Sequence, residues 1–369
     1  MTEIKSSVQR IESIDLARGM AVFFMIPVHV LITFSNHSAN SGVLGMAVGF
    51  FGATPAAPVF MALMGMSFYF SRNTDFKTGV LRGFKIILLG YFLNLLRNVL
   101  PILAAKWCAP SLYMAVPEDL ADFSKSFFEL DILQFAGLAL ILMAVLRELK
   151  ANKWLLLVLA VAVALPGPRL WGVTVGNPVA QHLLDYLWGN KPSASECIGN
   201  FVSFPFFPWF TFVLLGMFLG DTLKNSADFR KTFRRSGIAG LALVALSLPF
   251  LCHDFMGYFG DYYHSGPLIM VFHCGFVLAW LGLCQLAVEF VPPNPLFRLL
   301  YGWSKDVNRI YMIQWTLIMW AAVFAVGFET LGTASSAVWM LLMLALTHAV
   351  NMVWVRATHK AVPPPAPAA

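Results

Sequence analysis

Long apolar runs separated by short polar segments dominate this sequence. A run of about 20 apolar residues is enough to cross a bilayer as a helix, and the runs here predict ten such spans. We place the spans at residues 17–35, 47–70, 79–100, 127–147, 153–168, 202–220, 237–253, 266–289, 307–328 and 335–355. The pattern predicts an all-α polytopic membrane protein: a polar segment at 1–16, one transmembrane domain at 17–356 and a flexible Pro/Ala-rich tail at 357–369.

Composition supports this interpretation and excludes soluble classes. Of the 369 residues, 59% are hydrophobic and only 12% are charged, whereas a soluble domain contains about 25% charged residues. Too little polar surface is present to cover a water-soluble globule of this size. Coiled-coil, collagen-like, disordered and disulfide-scaffold classes are excluded by the same comparison.

The basic residues indicate which side of the membrane each connection occupies. Most of them flank the two ends of the chain or follow the even-numbered spans, whereas the segments that follow odd-numbered spans are acidic and aromatic. By the positive-inside rule, both termini are expected in the cytoplasm. The net charge of +6 is explained by this bias, so we expect no nucleic-acid partner.

Metal and cofactor signatures are missing from the sequence. The five cysteines form no CxxC pair and have no metal-ligand spacing. Neither a P-loop nor a GxSxG, HExxH or dinucleotide motif is present. We therefore predict no metal and no bound prosthetic group.

The first span carries the most informative polar residues. Asp15 and Arg18 lie three positions apart and share a helix face at its inner end. His29 follows eleven residues after Arg18, roughly 16 Å deeper along the helix. An ionisable residue at that depth usually faces a protein interior or a water-filled cavity, although a neutral histidine that only bonds to a neighbouring helix is an equal alternative. His37 follows in the outer loop SNHSANSG.

Further polar residues in or beside other spans are candidates to line the same cavity. These are Asn94, Arg97, Asp131, Gln134, His273 and Asn308. An ion pair between Arg97 and Asp131 at the outer border is a structural alternative. His273, in VFHCGF, is better explained by a hydrogen bond between helices than by catalysis.

Several ordered segments resemble the transmembrane acyltransferase superfamily, in particular the bacterial relatives of heparan-alpha-glucosaminide N-acetyltransferase. The first segment is SIDLARGMAV, which runs into the first span. It is followed by AAPVFMALMGMSFYFSR, VLRGFKIILLGYFLNLLR, ELDILQFAGLALILMAVLREL, SFPFFPWFTFVLLGMFLGD and YGWSKDVNRIYMIQW. One departure lies in the last of these segments, where many bacterial relatives have a histidine and this chain has Gln314.

This resemblance implies transfer of an acetyl group from cytosolic acetyl-CoA to an acceptor beyond the membrane. The expected acceptor is an extracytoplasmic sugar, glycan or lipid-linked precursor, and the expected location is the bacterial cytoplasmic membrane, in contact with its lipids. Relatives of the heparan enzyme form dimers, so a homodimer is also expected.

The resemblance also implies roles for particular residues. His37 is the counterpart of the proposed catalytic histidine in the heparan enzyme. The related acyltransferase-3 proteins instead place an essential histidine eleven residues after an arginine, which is the spacing of Arg18 and His29. Either imidazole could accept the acceptor's proton or carry the acetyl group itself. Arg18, oriented by Asp15, is the first candidate for the CoA phosphates.

The chemistry of CoA adds two more arginines as candidates. Arg72 and Arg82 lie near the inner ends of spans, and the guanidinium fork suits phosphate because it donates hydrogen bonds in pairs. The positive-inside rule would place basic residues there without any ligand.

Two other functions remain open from the sequence. In a transporter or flippase, the same polar residues would line a permeation path and His29 would couple protons. In an accessory subunit that scaffolds another enzyme, neither histidine would be needed. Consumption of acetyl-CoA distinguishes the enzyme from both.

Overall fold

The computed structural model describes residues 11–71, 75–189, 202–254 and 262–360, excluding the side chains of residues 359 and 360. Among the predicted features, Arg72, most of the 1–16 segment and most of the 357–369 tail lie outside the described residues.

The described chain is built from twelve principal helices. In chain order they are α1 (Glu12–Phe34), α2 (Val43–Phe70), α3 (Phe76–Cys108), α4 (Ile132–Glu148), α5 (Lys153–Leu170), α6 (Pro178–Trp188), α7 (Phe206–Lys224), α8 (Phe229–His253), α9 (Pro267–Phe290), α10 (Pro295–Lys305), α11 (Val307–Val326) and α12 (Thr333–Lys360). Shorter helices lie at His37–Ser41, Pro110–Tyr113, Glu118–Ala121 and Phe123–Phe128. The only β-pairings among the described residues are isolated bridges from Ser35 to Leu331 and from Leu130 to Val202.

The protein is an all-α polytopic membrane protein, as the apolar pattern predicts. Within the described ranges, nine helices are at least 18 residues long and apolar enough to cross a membrane. They coincide with nine of the ten predicted spans. The remaining predicted span corresponds to α4, which has 17 residues and is therefore about 25 Å long, slightly shorter than a typical hydrocarbon core.

Close glycine contacts hold neighbouring helices together. A Cβ atom added at Gly216 of α7 would lie 1.9 Å from the backbone oxygen of Ala62 in α2, and one at Gly65 would lie 2.1 Å from the backbone oxygen of Val213. Such contacts tolerate no side chain. Small residues of this kind let membrane helices approach closely where there is no water-driven hydrophobic effect.

Helix α1 occupies a central position in the fold. It contacts α2, α9, α10, α11 and α12, and 13 of its 23 residues are buried. Gly19 permits the approach of α10, because a Cβ there would lie 2.3 Å from the backbone oxygen of Leu300. This arrangement places α2 and the helices of the last third of the chain around α1.

Two spans contain a π-helical turn. One covers Leu95–Val99 in α3 and the other covers Ala322–Val326 at the end of α11. The turn in α3 packs against α11. π-Turns often occur at functional sites. The region where α3 and α11 meet is therefore a candidate for such a site.

Candidate active site

A cavity of about 660 Å³ opens between α1, α2, α3, α4, α10 and α11. Its volume is in the range of small-molecule and cofactor sites. Polar side chains at its lining include Arg18, Ser67, Ser71, Arg82, Ser304, Lys305, Asp306, Asn308, Arg309 and Tyr311. The rest of the wall is mainly apolar.

One end of the cavity is strongly basic. Arg18, Arg82, Lys305 and Arg309 all contribute to the cavity lining, as does one acidic residue, Asp306, which pairs with Arg309 at 3.1 Å. In a partly enclosed site of low dielectric, such a concentration of positive charge attracts a polyanionic ligand. The arrangement is therefore suited to phosphate.

Contacts with its own helix, with α2 and with α10 hold Arg18 in place. Its Nη2 atom donates a 2.8 Å hydrogen bond to the Ser67 hydroxyl of α2, and its Nη1 atom lies 3.6 Å from the Asp15 carboxylate. The Ser304 hydroxyl of α10 donates to Asp15 over 2.8 Å and also accepts a 3.4 Å bond from Arg18. The predicted pairing of Asp15 and Arg18 is present, and the serines give it a fixed geometry.

Helix α3 brings Arg82 to the cavity, and a helix cap fixes where α3 begins. The carboxylate of Asp75 accepts a 2.9 Å hydrogen bond from the backbone N–H of Thr78. Hydrogen bonds from the hydroxyl and the backbone of Thr78 hold the pKa of Asp75 below its ordinary value. Two turns further along, Arg82 faces the cavity.

A buried ionic network adjoins the cavity where Tyr311 lines it. The Tyr311 hydroxyl donates a 2.6 Å hydrogen bond to Asp131, and Asp131 accepts a second, 2.9 Å bond from Arg97. Arg97 also pairs with Glu129 at 3.0 Å, and Glu129 accepts a 2.7 Å bond from Asn98. Arg97 and Asn98 both lie in the π-turn of α3.

His29 lies against the same network. Its ring stacks on the indole of Trp315 with centroids 4.0 Å apart, and the ring of Tyr311 meets it edge-on at 6.1 Å. The Arg97 guanidinium lies over Trp315 at 4.7 Å. The imidazole is half-buried, but its Nδ1 atom is buried and has no hydrogen-bond partner among the described residues. His29 thus has fixed neighbours and a buried nitrogen without a hydrogen-bond partner among the described residues.

His37 lies apart from this cluster. It is exposed at the start of the short helix His37–Ser41, past the end of α1. Asn36 caps that helix by accepting from Ala39 N–H, and it also bonds to the backbone of Leu331. Like His29, it does not line the cavity, and it makes none of the ring contacts described above for His29.

The other predicted cavity residues have three different placements. Asn308 lines the cavity. Gln134 does not line the cavity, although its neighbours Leu133 and Phe135 do. It belongs to a capping box in which its Oε1 accepts a 3.2 Å hydrogen bond from the Asp131 N–H. His273 instead lies among the rings of Phe212 and Tyr262 and does not line the cavity. The Arg97–Asp131 pair anticipated from the sequence is present.

Sequence reasoning missed the residues that connect the cavity to His29. Tyr311 and Trp315 lie on α11, far from His29 along the chain. The available signal was their spacing of four residues on one helix face, together with polar Gln314 between them. No comparable spacing pattern pointed to Ser67 or Ser304.

A cavity lined by several basic side chains suits a phosphorylated ligand, and His29 lies next to its lining residue Tyr311 without lining the cavity itself. Comparison with known families agrees: residues 10–254 match the family of the heparan-alpha-glucosaminide N-acetyltransferase catalytic domain, and the chain belongs to that family. It is therefore a membrane protein of an acetyltransferase family. No curated protein sequence matches it significantly. Helices α9 to α12, which supply Tyr311, Gln314 and Trp315, lie outside the matched range.

Proposed function

We propose that this protein transfers an acetyl group from acetyl-CoA to an extracytoplasmic sugar, glycan or lipid-linked acceptor, across the bacterial cytoplasmic membrane. The observation that carries the proposal is a cavity lined by Arg18, Arg82 and Tyr311, the last being a ring neighbour of His29. Family membership supports the reaction class.

Acetyl-CoA fits the chemistry of the cavity. Its phosphate groups would bind Arg18, Arg82, Lys305 and Arg309, where arginines donate paired hydrogen bonds. The less polar pantetheine arm would follow the wall formed by side chains that include Met64. Arg72, the remaining predicted CoA contact, lies outside the described residues.

The basic end of the cavity would face the cytoplasm, where acetyl-CoA is made. The distribution of Lys and Arg along the sequence supports this orientation. The acceptor would then approach His29 from the opposite side of the membrane. The His37 loop lies on that side in the same topology.

His29 is our choice for the catalytic base. The acceptor's nitrogen or oxygen would attack the thioester carbonyl carbon while its proton passes to the imidazole. Collapse of the tetrahedral intermediate would break the C–S bond, and the imidazolium would return the proton to the departing thiolate. The products are the acetylated acceptor and CoA, with no net change in protons. A half-buried histidine with an unpartnered nitrogen supports this role better than the exposed His37.

The test is the release of free CoA thiol by purified protein supplied with acetyl-CoA and a panel of amino sugars and glycans. We expect acceptor-dependent release. Arg18→Met should raise KM for acetyl-CoA by about 10- to 100-fold, because a charge-assisted hydrogen bond contributes about 1.5–3 kcal/mol.

The matched control is Arg235→Met, which removes an exposed arginine that does not line the cavity. It should leave KM unchanged. Absence of thiol release and of acetyl-CoA binding in folded wild-type protein would refute the proposed function. Equal KM values for the two variants would refute the assignment of the donor site.

A further inference from the structure

Gln314 is a fully buried polar residue of the bundle. Its side chain is 0% exposed, yet neither its Nε2 nor its Oε1 atom has a hydrogen-bond partner among the described residues. Buried polar groups are nearly always bonded, so one that lacks a partner requires an explanation. A primary amide with both ends unsatisfied lowers the stability of the fold that contains it.

The position of Gln314 relates it to His29. Tyr311, Gln314 and Trp315 lie at positions i, i+3 and i+4 of α11 and therefore share one helix face. The flanking rings both contact the imidazole, at 6.1 and 4.0 Å between centroids. The amide of Gln314 lies beside the imidazole without reaching hydrogen-bonding geometry.

Two unsatisfied polar groups thus meet inside the membrane domain. The Nδ1 atom of His29 is the other one, and it is also buried without a partner among the described residues. Neither side chain lines the cavity, but their neighbour Tyr311 does, and a small polar group that passes Tyr311 from the cavity could satisfy both. A carbonyl oxygen, which accepts but does not donate, is complementary to the amide N–H.

We propose that Gln314 is a catalytic residue whose Nε2–H donates a hydrogen bond to the carbonyl oxygen of the acyl group during transfer. This inference rests on the proposed function. As the acceptor attacks, the C=O bond becomes a C–O⁻ single bond, and the amide stabilises the charge on that oxygen. The carbonyl re-forms when the C–S bond breaks, so Gln314 neither gains nor loses a proton.

A preformed donor suits this task because it needs little reorganisation when the charge develops. The same amide has no protein partner among the described residues, so the fold bears the energetic cost. Residues placed for catalysis at the expense of stability are the source of stability–activity trade-offs. Gln314 should therefore show opposite effects on activity and stability when it is replaced.

Gln314→Leu is the direct test, because leucine is similar in size and carries no hydrogen-bonding group. We expect kcat to fall about 10²- to 10³-fold, the usual effect of removing one oxyanion donor, with KM for acetyl-CoA unchanged. The apparent melting temperature should stay the same or rise.

Gln285→Leu is the matched control. Gln285 is a buried glutamine of α9 whose Nε2 atom has a partner, Glu289, at 2.9 Å. Its replacement should lower the melting temperature and leave kcat unchanged. A purely structural role for Gln314 would give the same result as this control.

A second measurement does not depend on turnover. Isotope-edited infrared spectra can report the carbonyl stretch of the dethia analogue of acetyl-CoA, in which a methylene replaces sulfur. The stretch should lie at a lower frequency on wild-type protein than on Gln314→Leu, because hydrogen bonding weakens the C=O bond. If Gln314→Leu does not fold, Gln314→Met serves in both experiments.

The outcomes separate this proposal from the one on which it rests. An active wild-type protein with an equally active Gln314→Leu variant, or equal carbonyl frequencies, would overturn the role of Gln314 alone. A wild-type protein that neither binds nor consumes acetyl-CoA would contradict the proposed function and this inference together.

Discussion

Replacing Arg97 by methionine should be among the most damaging single changes in this protein. Arg97 is 2% exposed and pairs with Asp131 at 2.9 Å and with Glu129 at 3.0 Å. Methionine would fill much of the volume but would leave the buried Asp131 and the partly buried Glu129 without their cation. Removal of one partner from a buried ion pair costs about 3–5 kcal/mol.

The exposed pair between Lys125 and Asp119 provides the matched control. Its charged atoms are 2.8 Å apart, but the Asp119 side chain is 71% exposed. Exposed pairs contribute about 0–1 kcal/mol, so Lys125→Met should have little effect. Similar distances in different surroundings therefore predict very different losses of stability.

The assay is thermal unfolding of purified protein in one detergent at one scan rate, since membrane proteins often unfold irreversibly. Arg97→Met should lower the apparent midpoint by on the order of 5 °C or more, and Lys125→Met should not. Adding Asp131→Asn to Arg97→Met should recover part of the loss, because one uncompensated charge is removed. Equal midpoints for Arg97→Met and Lys125→Met would refute the assignment of Arg97 as the buried counterion.

Two further changes test helix packing and the hydrogen bond beside the cavity. Gly216→Ala should strongly destabilise the protein, because its Cβ would lie 1.9 Å from a backbone oxygen of α2. A Cβ at Gly49 would meet nothing within 4 Å, so Gly49→Ala should be neutral or stabilise the protein by up to about 1 kcal/mol. Equal thermal midpoints for the two variants would contradict the Gly216 contact. Tyr311→Phe should lower the free energy of unfolding by about 1.5–3 kcal/mol, since the Tyr311 hydroxyl donates to a carboxylate. Tyr186→Phe loses a hydrogen bond to a backbone carbonyl and should lower the free energy of unfolding by about 0.5–1.5 kcal/mol. Denaturation in mixed micelles measures both, and a larger loss for Tyr186→Phe would contradict this ranking.

The sequence predicted the fold more completely than the site. Apolar runs located ten of the twelve principal helices because a membrane requires each span to be long, apolar and internally hydrogen-bonded, whereas the shorter α6 and α10 were not predicted. Boundaries shifted where polar caps decide them: α3 begins after Asp75, and α4 begins after Asp131. Both aspartates accept backbone N–H groups at those ends.

Predictions within the site depended on distance along the chain. The local pair of Asp15 and Arg18 could be inferred from helix periodicity, and the pair of Arg97 and Asp131 from complementary charge at one depth. The stacking of His29 on Trp315 joins the first span to the ninth. Such a contact depends on how the helices assemble, which periodicity does not specify.

The most direct measurement of the central claim compares His29→Ala with His37→Ala in the CoA-thiol release assay, at saturating acetyl-CoA and acceptor. We predict that His29→Ala loses about 10²- to 10⁴-fold in kcat, as expected for a general base, while acetyl-CoA still binds. His37→Ala should retain nearly full kcat. Loss of turnover in His37→Ala with normal turnover in His29→Ala would contradict the assignment of His29 as the catalytic base.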